Sequence, residues 1–198
     1  VRQLSPDDKY SSMYHIFERL NTGGMVLSPM EIRKAISYGP FYKTLEKLNI
    51  YNGWQSIINR TTTEYRLRDI EWILRIFAFY VEGVEKYKEP LKDFLTDFLH
   101  KNKDNSFDEI AEKFRNTCDD VISEIGKKPF HFPKGRLNLA VLDSVFVTLL
   151  KKGRISELNT KYSKLLDDKE FNDVIQSRNA TKKPIAKLRL EIVERYLV

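Results

Sequence analysis

The 8 glycines and 7 prolines of this 198-residue chain constrain its fold more than any other feature. So few breakers point to long regular elements. Most of them stand where an apolar pattern starts or stops. Pro6, Pro29, Pro40 and Pro90 precede apolar residues that recur at three and four positions, the spacing of one helix face. Gly23, Gly24, Gly39, Gly126 and Gly153 follow such runs, where a helix end favours a residue able to turn left-handed. Alternating β patterns are essentially absent. The expected class is therefore all-α, an irregular multi-helix bundle, with Val1–Leu4 reading as the tail of a strand.

The pass along the chain gives a succession of helices. Ser5-Pro6-Asp7-Asp8 starts one that would bury Met13, Ile16, Phe17 and Leu20 and end at Asn21-Thr22-Gly23-Gly24. Ser28, Pro29 and Glu31 make a capping box, in which Ser28 caps and Glu31 reaches back to the cap amide. Pro40 opens a third helix, with Phe41, Leu45 and Leu48 on one face. Residues 49–62 read as irregular or short-helical around Asn52-Gly53-Trp54. Residues 64–82 form the strongest helix, apolar nearly all round as a central helix would be. Further helices are expected from Pro90, from a second capping box at Ser106–Glu109 up to about Ile125, and over Leu139–Leu150. Two short ones follow within 156–176, and an amphipathic one closes the chain from Thr181 to Leu197. Residues 127–136, with two prolines and Gly135, read as an exposed basic loop. No linker or repeat divides residues 1–198, so they are read as one helical domain.

No apolar stretch approaches the roughly 18 residues of a membrane span, and no secretion signal opens the chain. The lone Cys118 excludes an internal disulfide and fits a reducing cytosol, so a cytoplasmic protein is expected. The start at a valine suggests a segment upstream. The net charge of +6 favours polyanions without establishing nucleic-acid binding. Its distribution says more. Residues 127–154 hold Lys127, Lys128, Lys134, Arg136, Lys151, Lys152 and Arg154 against only Asp143. That window reads either as a solvated loop and helix end or as a surface for phosphate backbones. Lys127, Lys128, Lys134 and Arg136 are its nucleic-acid contact candidates.

Catalytic chemistry is hard to assemble. His15, His100 and His131 are scattered, and the His15–Glu18 pair lacks a third metal ligand. Cys118 has no histidine in evident reach and reads as a structural thiol. No nucleophile elbow and no glycine-rich phosphate loop occurs. The segment Phe17–Gly24 followed by Leu27–Ile36 is different. One helix delivers an arginine and an asparagine at its end, a double glycine lets backbone approach a ligand, and a new helix N-terminus follows. That suits an anion such as a nucleotide phosphate; an ordinary glycine-capped turn is the plainer reading.

The run F-E-R-L-N-T-G-G, then L-S-P-M-E-I-R-K-A-I, then Gly39-Pro40-Phe41, Leu45 and Leu48-Asn49 resembles the second half of the N-terminal domain of GmrSD-type restriction endonucleases. Those are bacterial proteins tied to defence against phage and modified DNA. Arg68-Asp69-Ile70-Glu71-Trp72-Ile73-Leu74-Arg75, Leu91–Leu95, the Phe107 helix and Arg136–Asp143 are similar to later family segments. The family's D-G-Q-Q-R signature, carried on an α/β lobe like those of ParB and sulfiredoxin, is absent, as is its HNH nuclease module. The resemblance implies that residues 1–40 pack toward a missing N-terminal lobe. It implies a nucleotide site shared with that lobe, to which Arg19, Asn21, Thr22, Gly23 and Gly24 contribute, with Arg19 on phosphate. Phe17, Glu18, Ser28, Glu31 and Arg33 would hold the motif together. The cofactors implied are a nucleoside triphosphate and a divalent ion for the longer protein, and none for this chain alone.

The leading expectation is the helical half of a nucleotide-dependent, DNA-directed defence or restriction protein, inactive or nearly so by itself. Its partners would be the missing lobe and DNA, not a membrane. The alternative is a non-enzymatic helical module that binds DNA or a protein. A self-sufficient hydrolase built from dispersed carboxylates and histidines has no spacing to support it.

Overall fold

A computed structural model of the chain describes Ile16, residues 26–132 and residues 135–198. The expected strand tail at Val1–Leu4 and, apart from Ile16, the first helix lie outside the described residues. Ile16, expected on a buried face, is helical but 55% exposed, because no described element covers it. The described residues form ten helices and no sheet, so the chain is all-α. They are α1 (Pro29–Ser37), α2 (Pro40–Asn49), α3 (Asn52–Ile58), α4 (Arg68–Val81) and α5 (Leu91–Lys101). Then come α6 (Asp108–Glu124), α7 (Leu139–Lys152), α8 (Leu158–Asp167), α9 (Lys169–Gln176) and α10 (Lys183–Leu197). None is long and apolar enough to cross a membrane.

The centre is shared by two helices. Every residue of α7 from Ala140 to Leu150 is buried, and α4 packs against it with Asp69–Ile70 and Ile73–Phe79 buried. Around this pair, α2 and α5 flank α4, α1 lies on α5, α3 pairs with α6, and α10 packs on α7 beneath α8 and α9. One apolar cluster runs from Met30 to Leu197. Its middle is a chain of rings. Phe41 meets Phe107 at 4.8 Å, Phe77 meets Phe107 at 5.9 Å, Phe114 meets Phe146 at 4.9 Å, and Trp54 meets Phe114 at 5.3 Å. Each such pair contributes about 0.5–1.5 kcal/mol beyond area burial.

Two local expectations are corrected. Ser106 makes no capping box. The Asn105 side chain takes the Phe107 amide at 2.9 Å, while the Ser106 hydroxyl donates to the Asp108 carboxylate. Phe107 turns left-handed (φ 51°), and its ring lies against Phe41 in the core. The 127–136 segment is not wholly an exposed loop. His131 bridges Leu137, and Phe130 is 1% exposed against the edge of Tyr162. The Tyr162 hydroxyl donates to the Pro129 carbonyl at 2.7 Å, so this segment is tied down by one buried ring.

Candidate nucleic-acid interface

The N-terminal motif enters the described structure at Val26. Its first stretch, with Phe17, Glu18, Arg19, Asn21, Thr22, Gly23 and Gly24, lies outside the described residues, as does Lys134. The second stretch is a brace. The Ser28 hydroxyl accepts the Glu31 amide at 3.2 Å while the Glu31 carboxylate accepts the Ser28 amide at 2.6 Å, the reciprocal capping box. Arg33 is 1% exposed and fully engaged. Its Nε donates to Thr96 at 3.1 Å, Nη1 to Glu71 at 2.6 Å and Nη2 to the Lys92 carbonyl at 3.0 Å. Each nitrogen of this buried guanidinium therefore has a partner. Arg33 thus joins α1 to α4 and α5.

The brace also reaches the segment between α3 and α4. Ser28 Oγ donates to the Arg66 carbonyl at 2.8 Å, and Arg66 Nη2 donates to the Val26 carbonyl at 2.6 Å. From beneath, a buried network pins the same segment. Asn49 Nδ2 donates to Asp69 Oδ2 at 2.9 Å and to Thr63 Oγ1 at 3.2 Å. Trp54 Nε1 donates to Asn49 Oδ1 at 3.2 Å, and the Glu64 amide donates to Asp69 Oδ2 at 2.7 Å. Glu64 in turn accepts the Arg66 and Arg68 amides, each at 3.0 Å, and the Arg68 side chain at 2.9 Å. The Arg68 bond holds the Glu64 carboxyl below its usual range. A nine-residue exposed connection held by this many bonds is pre-organised rather than slack.

Beside it opens a cleft of about 580 Å³. Asn52, Gln55 and Ser56 of α3 form one wall, and Asn59, Arg60, Thr61 and Thr62 continue it. Lys127 and Lys128, after α6, form the other. The packing of α3 on α6 brings the walls together. Gly53 is required there, because a Cβ would stand 2.8 Å from the Tyr51 ring and 3.0 Å from Cys118 Cβ. Tyr51 closes the same contact, donating to both Asp119 oxygens at 2.7 Å, which pushes its hydroxyl up to about 12. Cys118 is fully buried beneath, and burial pushes its thiol well up.

Three cations and a set of amides and hydroxyls, with no carboxylate, line this cleft. Arg60 stacks its guanidinium 5.8 Å from the Trp72 ring centre. Lys128 holds a left-handed backbone (φ 59°) that lysine rarely adopts, with its amide on the Ser56 carbonyl at 3.4 Å. Other left-handed residues, Leu67, Phe107 and Glu157, stand at helix starts, and Asn59 stands at a helix end. Lys128 has no helix terminus to account for its conformation. Such conformations cost about 1–3 kcal/mol and concentrate at functional sites.

The basic window divides. Lys127 and Lys128 enter the cleft; Arg136 is exposed on the same connection but does not line it. Lys151, Lys152 and Arg154 stand at and just beyond the C-terminal end of α7 and do not line the cleft. Arg154 there lies 3.7 Å from Glu124. Asp143, the window's one acid, is 2% exposed and engaged by Arg75, so it neutralises nothing at the surface. Sequence reasoning missed Arg60 and the Asn52–Asn59 wall. The run Arg60-Thr61-Thr62-Thr63, polar and next to a short helix, was the available signal.

A second polar cluster lies in the core. Arg75 donates to Asp143, and Arg189 Nη1 donates to the Ala180 carbonyl at 2.8 Å. Arg75 Nε, Asp143 Oδ1 and Arg189 Nε make no hydrogen bond. Burial lowers Arg189 to about 10. The gap beside them admits no water-sized ligand, so this is scaffold and not a binding site. Among the described residues no group of three histidine, cysteine or acidic side chains could hold a metal ion.

Comparison with known proteins found no matching family model, no matching curated protein and no matching solved structure.

Proposed function

We propose that this chain is the helical half of a nucleotide-dependent, DNA-directed bacterial defence protein, and that its own contribution is a surface for DNA phosphates. The cleft of Arg60, Lys127 and Lys128 carries the reading. A concave, carboxylate-free lining of three cations beside a pinned segment suits a phosphate backbone. The motif that suggested the family is continuous with it, since Ser28 and Val26 both bind Arg66 at the end of that segment. In this reading Arg19, Asn21, Thr22, Gly23 and Gly24 complete a nucleotide site with an upstream lobe, where a nucleoside triphosphate and a divalent ion would act.

The same cleft also favours a second reading, a stand-alone module that binds DNA without turnover. Fluorescence anisotropy with a labelled DNA duplex tests what both share. The 198-residue chain is expected to bind at low salt and to weaken as salt rises. Replacing Arg60, Lys127 and Lys128 by alanine should reduce the slope of log K against log salt by about 2.7, at about 0.9 per phosphate contact. Absence of binding at low salt would end both readings. Nucleotide hydrolysis by a longer protein carrying the lobe separates them. Arg19→Ala should slow it, and unchanged turnover would remove Arg19 from the site.

A further inference from the structure

The hollow where α1, α2 and the start of α4 meet differs in kind from the polar cleft above. It measures about 430 Å³, with Ile50, Leu67 and Ile70 as its aliphatic lining and Lys34, Lys43, Glu46 and Lys47 as its charged one. Leu67 is half-buried and Ile70 buried, whereas Ile50 is 63% exposed. Lys34 is held by Glu46 at 2.9 Å, while Lys43 and Lys47 make no ion pair among the described residues. Lys43, Lys47 and Ile50 are all exposed and stand four and then three positions apart, so they share one face of α2. At the other end of that helix Tyr38, 52% exposed, carries Lys34 and Lys43 at 5.9 and 5.8 Å from its ring centre. The face thus runs the length of α2, about 15 Å for its 10 residues.

We propose that this face of α2 docks a protein partner through an acidic, aliphatic-bearing segment. An aliphatic side chain of the partner enters the hollow beside Ile50 and Leu67, and its carboxylates meet Lys43 and Lys47. The inference goes beyond the DNA-directed reading and does not depend on it. Charge complementarity carries it. Two unpaired cations about an apolar hollow match carboxylates that flank an aliphatic side chain, and protein interfaces join an apolar centre to a polar rim in this way. Exposed lysines alone would be an ordinary solvated face. A large aliphatic left exposed beside an open hollow, within a rim of charge, marks a contact surface instead. A phosphate polymer suits this face poorly. Glu46 stands within its row of lysines, and Asp108, Glu109 and Glu112 line the neighbouring hollow that Lys47 also borders. An unbroken row of negative charge would meet those acids, as would an anionic lipid surface, whereas a peptide can place its carboxylates at the two lysines alone.

The test is selection from a displayed library of random peptides on the 198-residue chain. Peptides of about 16 residues reach some 24 Å as helices, longer than α2. Those retained should combine Asp or Glu with Leu or Ile. Synthesised with a fluorescent label, they should lose roughly tenfold in affinity for Lys43→Ala/Lys47→Ala and for Ile50→Asp. The variant with Arg60, Lys127 and Lys128 replaced by alanine should bind them like the parent. Circular dichroism of the α2 variants is expected to match the parent, because these three side chains are exposed. Failure to select any peptide, a selection without acidic and aliphatic residues, or binding lost with the Arg60 variant instead would each overturn the inference. Three other occupants are checked with the same Lys43→Ala/Lys47→Ala variant. A parent dimer in sedimentation that the variant dissolves, phosphatidylserine vesicle binding that it loses, or a flattened salt slope for duplex DNA would each give the face to another occupant and overturn the inference. An unchanged DNA slope is expected, so failure of the peptide test leaves the DNA-directed reading intact.

Discussion

Two buried polar networks in this molecule are built to different standards. Under the 59–67 segment, Asn49 satisfies both of its amide ends through Trp54, Asp69 and Thr63, and the Glu64 amide completes the set. In the core, Arg75, Asp143 and Arg189 are brought together with one guanidinium–carboxylate pair and three polar atoms left without a hydrogen bond. A satisfied network fixes geometry; an incompletely satisfied one costs desolvation that its single ion pair offsets only in part. The fold thus places its more complete hydrogen bonding beneath the surface segment proposed to meet DNA. The core cluster works as a clamp between α4, α7 and α10, where shape and charge balance matter more than bond angles.

Breaking each network should separate these roles. Asp143→Ala leaves two guanidiniums buried without their carboxylate and should cost about 3–5 kcal/mol in chemical denaturation. Replacing Arg75, Asp143 and Arg189 together by apolar residues of similar volume should cost far less, because no buried charge is left unpaired. If the triple variant is as unstable as Asp143→Ala, the clamp is more than a balanced charge cluster.

Asp69→Ala removes the acceptor for Asn49 and for the Glu64 amide and should cost about 1–3 kcal/mol. Its signature lies elsewhere: protease cleavage within 59–67 should speed up and DNA affinity should fall, while the salt slope stays at the parent value because no phosphate contact is removed. A changed slope would mean that the network does more than position this segment.

Lys128→Gly sharpens the comparison from the opposite side. Glycine accepts φ 59° without strain, so the variant should gain about 0.5–1 kcal/mol of stability while DNA binding weakens. A loss of stability would show that the left-handed backbone at Lys128 is not strained.

The smallest effect expected is a pH dependence at His131. Burial lowers its pKa from 6.5, and its Nδ1 has no partner. The unfolded chain therefore takes up the proton first. Stability contributed by the neutral ring is complete above 6.5 and declines as pH falls from there toward the lowered folded value. Melting temperature across that window should fall in the parent and fall less in His131→Gln.

The helices were largely legible in the sequence because their signals are local. Apolar spacing and prolines marked α1, α2, α4, α5 and α7 to within a few residues, and Ser28–Glu31 formed the capping box its spacing announced. Ser106 did not, since its hydroxyl turns to the Asp108 carboxylate while Phe107, half-buried, packs its ring on Phe41. The candidate site was legible only by half. Lys127 and Lys128 announced themselves as a charge run, whereas Arg60 reaches them through the packing of α3 on α6, which Gly53 permits and no spacing reveals. Likewise nothing in the pattern pairs Arg75 with Asp143, 68 residues away.

The most direct test of the central claim is a two-dimensional amide NMR titration of the 198-residue chain with a DNA duplex. Shifts should concentrate on Asn59–Thr63, Lys127 and Lys128, and should disappear as salt is raised. Shifts centred instead on Lys151, Lys152 and Arg154, or no shifts at low salt, would contradict the placement of the DNA surface at this cleft.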